Sequence, residues 1–233
     1  MKKILIVIPS YNEAKIIKNV ISDIRKNFEN QKLLVVDAYS NDGTLKIVQS
    51  ENVDYCLVDK TYGISLAIEL GILEAYHKNY DYLVRLDSDG QHPAEDVRNI
   101  LEFAVKNNID LSIGSRFLNK ADYETNKIRL LGISILKYLI KIFYNLEITD
   151  CTSGCQIFSK RLVRKFVEDK NFEYSEIGAI CKTKKLGYTI KEMFINMRPR
   201  KTGTSSFNFV NSFKYMLKNL LAIITSASFN LKK

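Results

Sequence analysis

Asp87 and Asp89, separated by a single serine, are the residues of this chain best suited to hold a cation. Gln91 follows two positions later, so three oxygen-bearing side chains alternate along one short segment. Carboxylate and amide oxygens are hard ligands that suit Mg²⁺ or Mn²⁺, and such an ion then bridges to substrate phosphates. The plain alternative is an acidic turn that caps a helix starting near Pro93. The segment predicts a metal site.

The elements around this segment predict where it lies. Short apolar runs alternate with amphipathic stretches, which is typical of an α/β fold whose mostly parallel sheet is covered by helices on both faces. The runs predict strands at 4–8, 33–36, 55–58, 82–86 and 111–113, with helices at 14–28, 44–50, 65–78 and 93–106. Ligands of such sheets bind at the carboxyl ends of the strands.

Residues able to do chemistry follow four of these strands, so we expect them to share one crevice. They are Pro9, Tyr11 and Glu13 after the first strand, Asp37 after the second, Asp87, Asp89 and Gln91 after the fourth, and Arg116 after the fifth.

The back half is more apolar and more basic. It predicts strands at 157–158 and 189–195 and amphipathic helices at 128–146 and 207–225, and these helices favour either a lipid interface or a cover for the sheet or a dimer interface. Residues 182–233 carry eleven Lys or Arg and one acid, while residues 1–181 are nearly neutral. Such a basic end favours an anionic partner, although it also serves solubility.

The ends and the apolar stretches predict the location of the protein. The apolar run after Met1 has only five residues before Pro9, which indicates a strand and not a signal peptide. No stretch reaches the roughly 18–20 apolar residues that span a membrane. We therefore expect a cytoplasmic protein, peripheral at the inner face of the membrane if its basic helices meet anionic lipid.

Four motifs, in this order and spacing, resemble the family 2 glycosyltransferases of the GT-A fold. They are VIPSYNE at 7–13, VVDAYSNDGT at 35–44, RLDSDGQHP at 85–93 and GSRF at 114–117. The resemblance covers about residues 3–206. It implies a glycosyltransferase domain over 1–206, with 207–233 as a C-terminal helical extension of the same unit.

The resemblance also implies a role for each matching residue. The nucleoside of a UDP- or GDP-sugar would be bound by Pro9, Tyr11, Glu13 and Asp37, the cation by Asp87, Asp89 and Gln91, and the phosphates by Arg116, Arg129 and Arg200. Arginine suits phosphate because its guanidinium makes bidentate contacts.

Later segments resemble a narrower group, the dolichol-phosphate-mannose-synthase-like enzymes, which put sugars on polyprenyl phosphates. They are TDCTSG at 149–154, Glu176 eleven residues before Gly187, and RKTGTS at 200–205, which includes Ser205. This likeness implies a lipid-phosphate acceptor.

Two departures from these patterns qualify the likeness. Ala38 and Tyr39 follow Asp37 where the family has an acid and a glycine, which bears on base recognition. Cys155 and Gln156 stand where the family has phenylalanine and arginine, so a glycan hydroxyl stays open as the acceptor.

The chemistry that the resemblance implies is sugar transfer, with inversion at the anomeric carbon. Asp89 and Arg116 would stabilise the leaving diphosphate, and a hydroxyl acceptor would need a carboxylate base, for which Asp150 and Glu176 are the candidates. Either acid could instead be a helix cap or a surface group.

Other classes of protein explain fewer of these residues. A nucleotidyltransferase usually has a glycine-rich basic loop after its first strand, and 9–13 lacks one. A nucleic-acid-binding protein would explain the basic end but not the acids of the crevice, so we expect no nucleic-acid partner. A catalytically inactive relative stays open because of Ala38.

Overall fold

A computed structural model describes residues 2–119, 127–169, 174–199, 219, 220 and 223, and for 127–129 it describes the backbone alone. Within these residues seven strands form one sheet in the order β3-β2-β1-β4-β6-β5-β7. The strands are β1 Ile4–Ser10, β2 Lys32–Asp37, β3 Asp54–Leu57, β4 Tyr82–Arg85, β5 Leu111–Ser115, β6 Gln156–Ser159 and β7 Ile190–Phe194.

Helices connect these strands. They are α1 Ile17–Asn27, α2 Thr44–Ser50, α3 Gly63–His77, α4 Ala94–Asn107, α5 Lys127–Tyr144, α6 Lys160–Glu168 and α7 Glu176–Lys185, with a short 3-10 helix at Lys60–Tyr62. The predicted strands and helices of residues 1–118 are therefore confirmed to within a few residues at each end. The predicted helix at 207–225 lies outside the described residues except at Asn219, Leu220 and Ile223.

The pairing of the strands is mostly parallel, as the strand–helix alternation predicts. β1 pairs in parallel with β2 and with β4, and β5 pairs in parallel with β7. β6 is the exception: it lies between β4 and β5 and runs antiparallel to both. This insertion brings the chain just before β6 to the carboxyl ends of β4 and β5.

Apolar side chains fill both faces of the sheet. Alternate residues of β1 show why its sequence is continuously apolar: Leu5 and Val7 pack with α3 and the later helices, whereas Ile6 and Ile8 pack against α1 and α4. A strand covered on both sides has no solvent-facing position, so the period of two disappears from its sequence. The predicted cover of helices on both faces is thus confirmed.

Helices α6 and α7 are absent from the sequence-based prediction. Each begins at a serine whose side chain accepts a hydrogen bond from a backbone N–H in the first turn: Ser159 from Leu162, and Ser175 from Gly178. Such caps satisfy donors that the helix itself leaves unpaired.

Candidate active site

The carboxyl ends of β1, β2, β4 and β5 bring the predicted residues to one edge of the sheet. The register places Ser10 beside Asp37 and Val7 beside Arg85, so the chain segments that follow these strands start from neighbouring points. The common crevice that the sequence predicts is therefore formed by the loops after these strands.

The acidic turn after β4 is held by contacts on several sides. Asp89 Oδ1 accepts a hydrogen bond from the backbone N–H of Gln91 at 3.1 Å. Gln91 Nε2 donates to the carbonyl of Arg198 at 3.2 Å, and the Arg198 N–H donates back to the Gln91 carbonyl at 2.9 Å. The turn is thus fixed to the chain that leads out of β7, and the Gln91 amide uses its nitrogen in that contact.

Asp87 is held between Arg85 and Gly154. Its Oδ1 accepts from Arg85 Nη2 at 3.2 Å. A Cβ added to Gly154 would come within 2.0 Å of Asp87 Oδ2, so the carboxylate occupies space that only glycine leaves open. Burial raises the pKa of Asp87, but the charges of Arg85 and Arg116 and the hydrogen bond from Arg85 outweigh it, so the pKa lies below its usual value. The group is therefore an anion at neutral pH.

His92 closes the turn as a neutral ring. Burial lowers the pKa of His92 by more than Asp87 and Asp89 raise it. Its Nδ1 accepts from the backbone N–H of Asp87 at 3.5 Å, which requires that nitrogen to be unprotonated. His92 thus supports the turn without adding positive charge beside the two carboxylates.

The donor set of this turn fits a cation that is shared with a substrate. Among the described residues no group of three or more His, Cys, Asp and Glu side chains is arranged to hold a metal ion. Mg²⁺ and Mn²⁺ sites that bind phosphates commonly use one or two carboxylates and leave the remaining positions to phosphate and water. Asp87 and Asp89 match that arrangement, and a cavity of about 240 Å³ beside them is bounded by Asp23, His92 and Arg198.

The loops after β1 and β2 are tied to each other. The backbone N–H groups of Asn12 and Glu13 donate to the hydroxyls of Ser40 and Thr44 at 2.8 and 2.9 Å. Asp37, which is fully buried, accepts from both the N–H and the hydroxyl of Ser40. Its carboxylate therefore fixes the conformation of the loop after β2.

Aromatic side chains stand out from the same two loops. Tyr11 and Tyr39 are both exposed, and Tyr39 adopts a positive φ of 53°. Few non-glycine residues take this conformation, and where they do the surrounding structure must hold them there. The Ala38-Tyr39 departure from the family pattern therefore places an aromatic ring at the predicted nucleoside pocket.

Arg116 and Asp150 form a buried ion pair. Arg116 Nε and Nη2 donate to the two oxygens of Asp150 at 2.6 and 2.7 Å, and Nη2 also donates to the Thr152 hydroxyl. Glu192 on β7 accepts from the N–H groups of Thr149 and Asp150. The two predicted residues are thus bound to each other. Asp150 is fully buried, and both of its oxygens accept hydrogen bonds from the Arg116 guanidinium.

Glu176 lies at the first residue of α7 and pairs with a residue that the sequence did not single out. Its Oε1 is 2.8 Å from Arg85 Nη1, and the same nitrogen donates to the Tyr174 hydroxyl at 2.7 Å. Arg85 is the charged residue of a predicted buried strand. That charge is the sequence signal that could have marked Arg85 as part of the site. Tyr174 is about 90 residues away and carries no such signal.

The Arg129 side chain, Arg200 and Ser205 lie outside the described residues. Of the helical segments described, none is both long and apolar enough to cross a bilayer.

Comparison with known proteins gives a family and relatives. The family described as glycosyl transferase family 2 matches residues 5–167. The UDP-N-acetylglucosamine–dolichyl-phosphate N-acetylglucosaminyltransferase of Methanococcus voltae is 29% identical over 211 residues, covering 79% of this chain and 82% of that protein. The polyprenol monophosphomannose synthase of Mycolicibacterium smegmatis is 25% identical, covering 93% of this chain and 85% of its own.

Solved structures share the fold. Glucosyl-3-phosphoglycerate synthase from Mycobacterium tuberculosis, in complex with Mn²⁺ and UDP-glucose, superposes with a TM-score of 0.72. The match covers 97% of this chain and 79% of that protein, at 16% sequence identity. Together with the family match, this likeness confirms the predicted GT-A architecture.

Proposed function

This chain belongs to glycosyl transferase family 2 and is a glycosyltransferase, and we propose that it moves a sugar from a UDP- or GDP-sugar to a polyprenyl phosphate, with a divalent cation and inversion at the anomeric carbon. The names of its relatives support this acceptor, since the Methanococcus protein acts on dolichyl phosphate and a 27% identical Micrococcus luteus protein is an undecaprenyl-phosphate mannosyltransferase.

The observation that carries the proposal is that both candidate bases are ion-paired. Asp150 has both oxygens on Arg116, and Glu176 has Oε1 on Arg85. A hydroxyl acceptor must give up a proton to a base within hydrogen-bond reach, and a carboxylate that is already bound to a guanidinium is a poor recipient. A phosphate acceptor is already anionic and needs no base, so the paired carboxylates favour it.

The residues of the crevice then have separable tasks. Asp87 and Asp89 would hold the cation, which when bound would act as a Lewis acid on the leaving diphosphate. Tyr11 and Tyr39 would contact the nucleoside. An oxygen of the acceptor phosphate forms the new bond to the anomeric carbon while the bond from that carbon to the diphosphate breaks, and attack from the opposite side gives inversion.

A comparison of two acceptors that differ in one group tests this proposal. Purified protein with Mn²⁺ is incubated with radiolabelled UDP- and GDP-sugars and with either a polyprenyl phosphate or the unphosphorylated polyprenol of the same length. We expect label in the lipid phase only with the phosphate, and NMR of the product should show the inverted anomer. Transfer to the polyprenol, or to an added glycan in its place, would contradict the phosphate acceptor.

The exposed side of α5 supports a peripheral position on a membrane. Leu131, Ile135, Tyr138 and Ile142 are all exposed and recur at helical spacing, so they form one apolar stripe. The opposite face of the helix is buried in the core. We propose that this stripe meets the lipid interface at the inner face of the membrane, where a polyprenyl phosphate would present its head group.

A lipid interface would also use the basic residues of this helix. Lys137 and Lys141 lie four residues apart between the apolar positions, and Lys141 pairs with Glu147 at 2.7 Å at the end of the helix. Basic side chains near anionic head groups each add a modest attraction. The basic residues of 200–233 would add to it. The apolar stripe would also be covered if two copies of this chain packed together through it as a homo-oligomer.

A further inference from the structure

Arg85 is a charged side chain enclosed in the core at the end of β4. Its relative exposure is 2%, and its Nε has no hydrogen-bond partner among the described residues. Enclosing a guanidinium costs free energy that ion pairs recover only when the geometry is good, and a donor left unpaired adds to the cost. Stability alone therefore gives little reason for an arginine at this position.

The guanidinium joins two acids that come from distant parts of the chain. Nη2 lies 3.2 Å from Asp87 Oδ1, on the acidic turn, and Nη1 lies 2.8 Å from Glu176 Oε1, at the start of α7. Asp87 is thus held through one oxygen, while its other oxygen lies over Gly154. A lysine has one nitrogen and could not span both carboxylates in this way.

Neutral groups on the neighbouring strand complete the arrangement. Gln156 is the residue of β6 that pairs with Arg85. Its Oε1 accepts from the Tyr174 hydroxyl at 3.0 Å and its Nε2 donates to the Glu176 carbonyl at 3.3 Å. Position 156 is also where the family pattern has an arginine. In this chain the residue at position 156 is neutral, and the guanidinium stands on β4, directly opposite it.

We infer that Arg85 is a positioning residue that joins Asp87 to Glu176 and fixes the orientation of the carboxylate that holds the cation. The inference rests on the proposed metal site. Residues that orient a metal ligand affect metal affinity even though they do not touch the ion. Arg85 would act in that way, with Glu176 as its anchor and not as a base.

A titration of the full chain with Mn²⁺ alone tests the inference without substrate or turnover. The EPR signal of the unbound ion gives the Kd for Mn²⁺. Arg85→Lys keeps the charge and loses the bridge, so we expect the Kd for Mn²⁺ to rise about tenfold or more. Arg85→Gln should weaken binding as well, and the exchange variant Arg85→Gln with Gln156→Arg should return the Kd to within about threefold of the wild type. Arg98→Met, on the surface of α4, is the matched control.

The outcomes separate this inference from the proposed function. Wild-type protein that fails to bind Mn²⁺ would contradict the metal site and the inference with it. Wild-type binding together with an unchanged Kd in Arg85→Lys would overturn the inference alone. If Arg85→Gln does not fold, as thermal unfolding would show, Arg85→Lys still decides. An exchange variant that folds but binds Mn²⁺ no better than Arg85→Gln would also overturn it.

Discussion

At the scale of single residues, the space around Asp87 is as important as its charge. The carboxylate lies against the backbone of Gly154, at a distance where no other residue type fits. Gly154 belongs to the segment just before the antiparallel strand β6. The course of this strand therefore places a residue without a side chain next to the acidic turn. The glycine is thus part of the metal-binding geometry that we propose.

Replacement of Gly154 by alanine should therefore impair the site more than the fold. The added methyl group must displace Asp87, so we expect activity and Mn²⁺ affinity to fall about tenfold or more. Overpacking should cost about 1–3 kcal/mol of unfolding free energy. Gly187→Ala is the matched control, because Gly187 has a φ of +74° with open space around it, and should lose about 1 kcal/mol with normal activity. Equal activity in the two variants would contradict this role of Gly154.

Asp89 can be tested by removal of charge alone. Asp89→Asn keeps the shape of the side chain and its contact with the Gln91 N–H, but it removes half of the proposed anionic ligand set. We expect sugar transfer to fall by about 100-fold or more, with a thermal midpoint close to that of the wild type. Glu95→Gln, exposed in the first turn of α4, should leave transfer unchanged. Near-normal transfer by Asp89→Asn would exclude a metal site at this turn.

The sequence identified the acids of the site but not their supports. Asp87 and Asp89 could be predicted, because their spacing and their position after a strand are sufficient to indicate a metal site. Tyr174 and Glu192 could not, because their roles depend on pairings across 42 to 89 residues that no local pattern encodes. Arg85 has a local signal, its charge in a predicted buried strand, but that signal does not identify Tyr174 as its partner. The ion pair of Arg116 and Asp150 is also invisible in the sequence, which predicts separate tasks for the two residues.

At the scale of elements, local signals predicted the helices where apolar periodicity was strong. α6 is absent from the prediction, although Leu162, Val163 and Phe166 form its buried face and Ser159 caps it. A capping serine before a short amphipathic run was the available signal for both α6 and α7. The antiparallel direction of β6 could not be read from its sequence, because strand direction follows from the long-range course of the chain.

The exposed apolar stripe of α5 gives a test at this scale. Leu131 and Tyr138 are each 64% exposed, so Leu131→Gln with Tyr138→Gln should change stability little. If the stripe meets lipid, sedimentation with anionic vesicles should fall several-fold, since it loses buried apolar area. Ile64→Gln, at another exposed apolar position, is the control. Unchanged sedimentation of the double variant, or a loss of dimer with no change in vesicle binding, would contradict the lipid-facing role.

At the scale of the whole molecule, one buried acid connects the second half of the sheet. Asp110 precedes β5, and its carboxylate accepts from the Ser159 hydroxyl, the Thr189 N–H and the Arg161 guanidinium. The contacts join β5 to the start of α6 and to the chain entering β7. Because the loops of the site follow β5 and β7, this connection also keeps their carboxyl ends in register.

The charge state of Asp110 makes this connection dependent on pH. Burial raises the pKa of Asp110, but the hydrogen bonds from Arg161, Thr189 and Ser159 lower it by more, so it lies below its usual value. A carboxyl whose pKa is lower in the folded state stabilises the fold above its unfolded pKa of about 3.9, and that stability is lost as the pH falls through the folded value.

Asp110→Asn should therefore destabilise the protein at neutral pH and much less in acid. We expect the free energy of unfolding in urea to drop by about 1–3 kcal/mol at pH 7, because hydrogen bonds to a charged acceptor are lost. The difference from the wild type should start to shrink below about pH 4, because the unfolded wild-type carboxyl then takes up a proton, and it should vanish only below the lower pKa of the folded state. Asp54→Asn, which removes a surface ion pair with Lys32, should change little at either pH. A difference for Asp110→Asn that is the same at pH 7 and pH 3 would show that shape, and not charge, makes this residue stabilising.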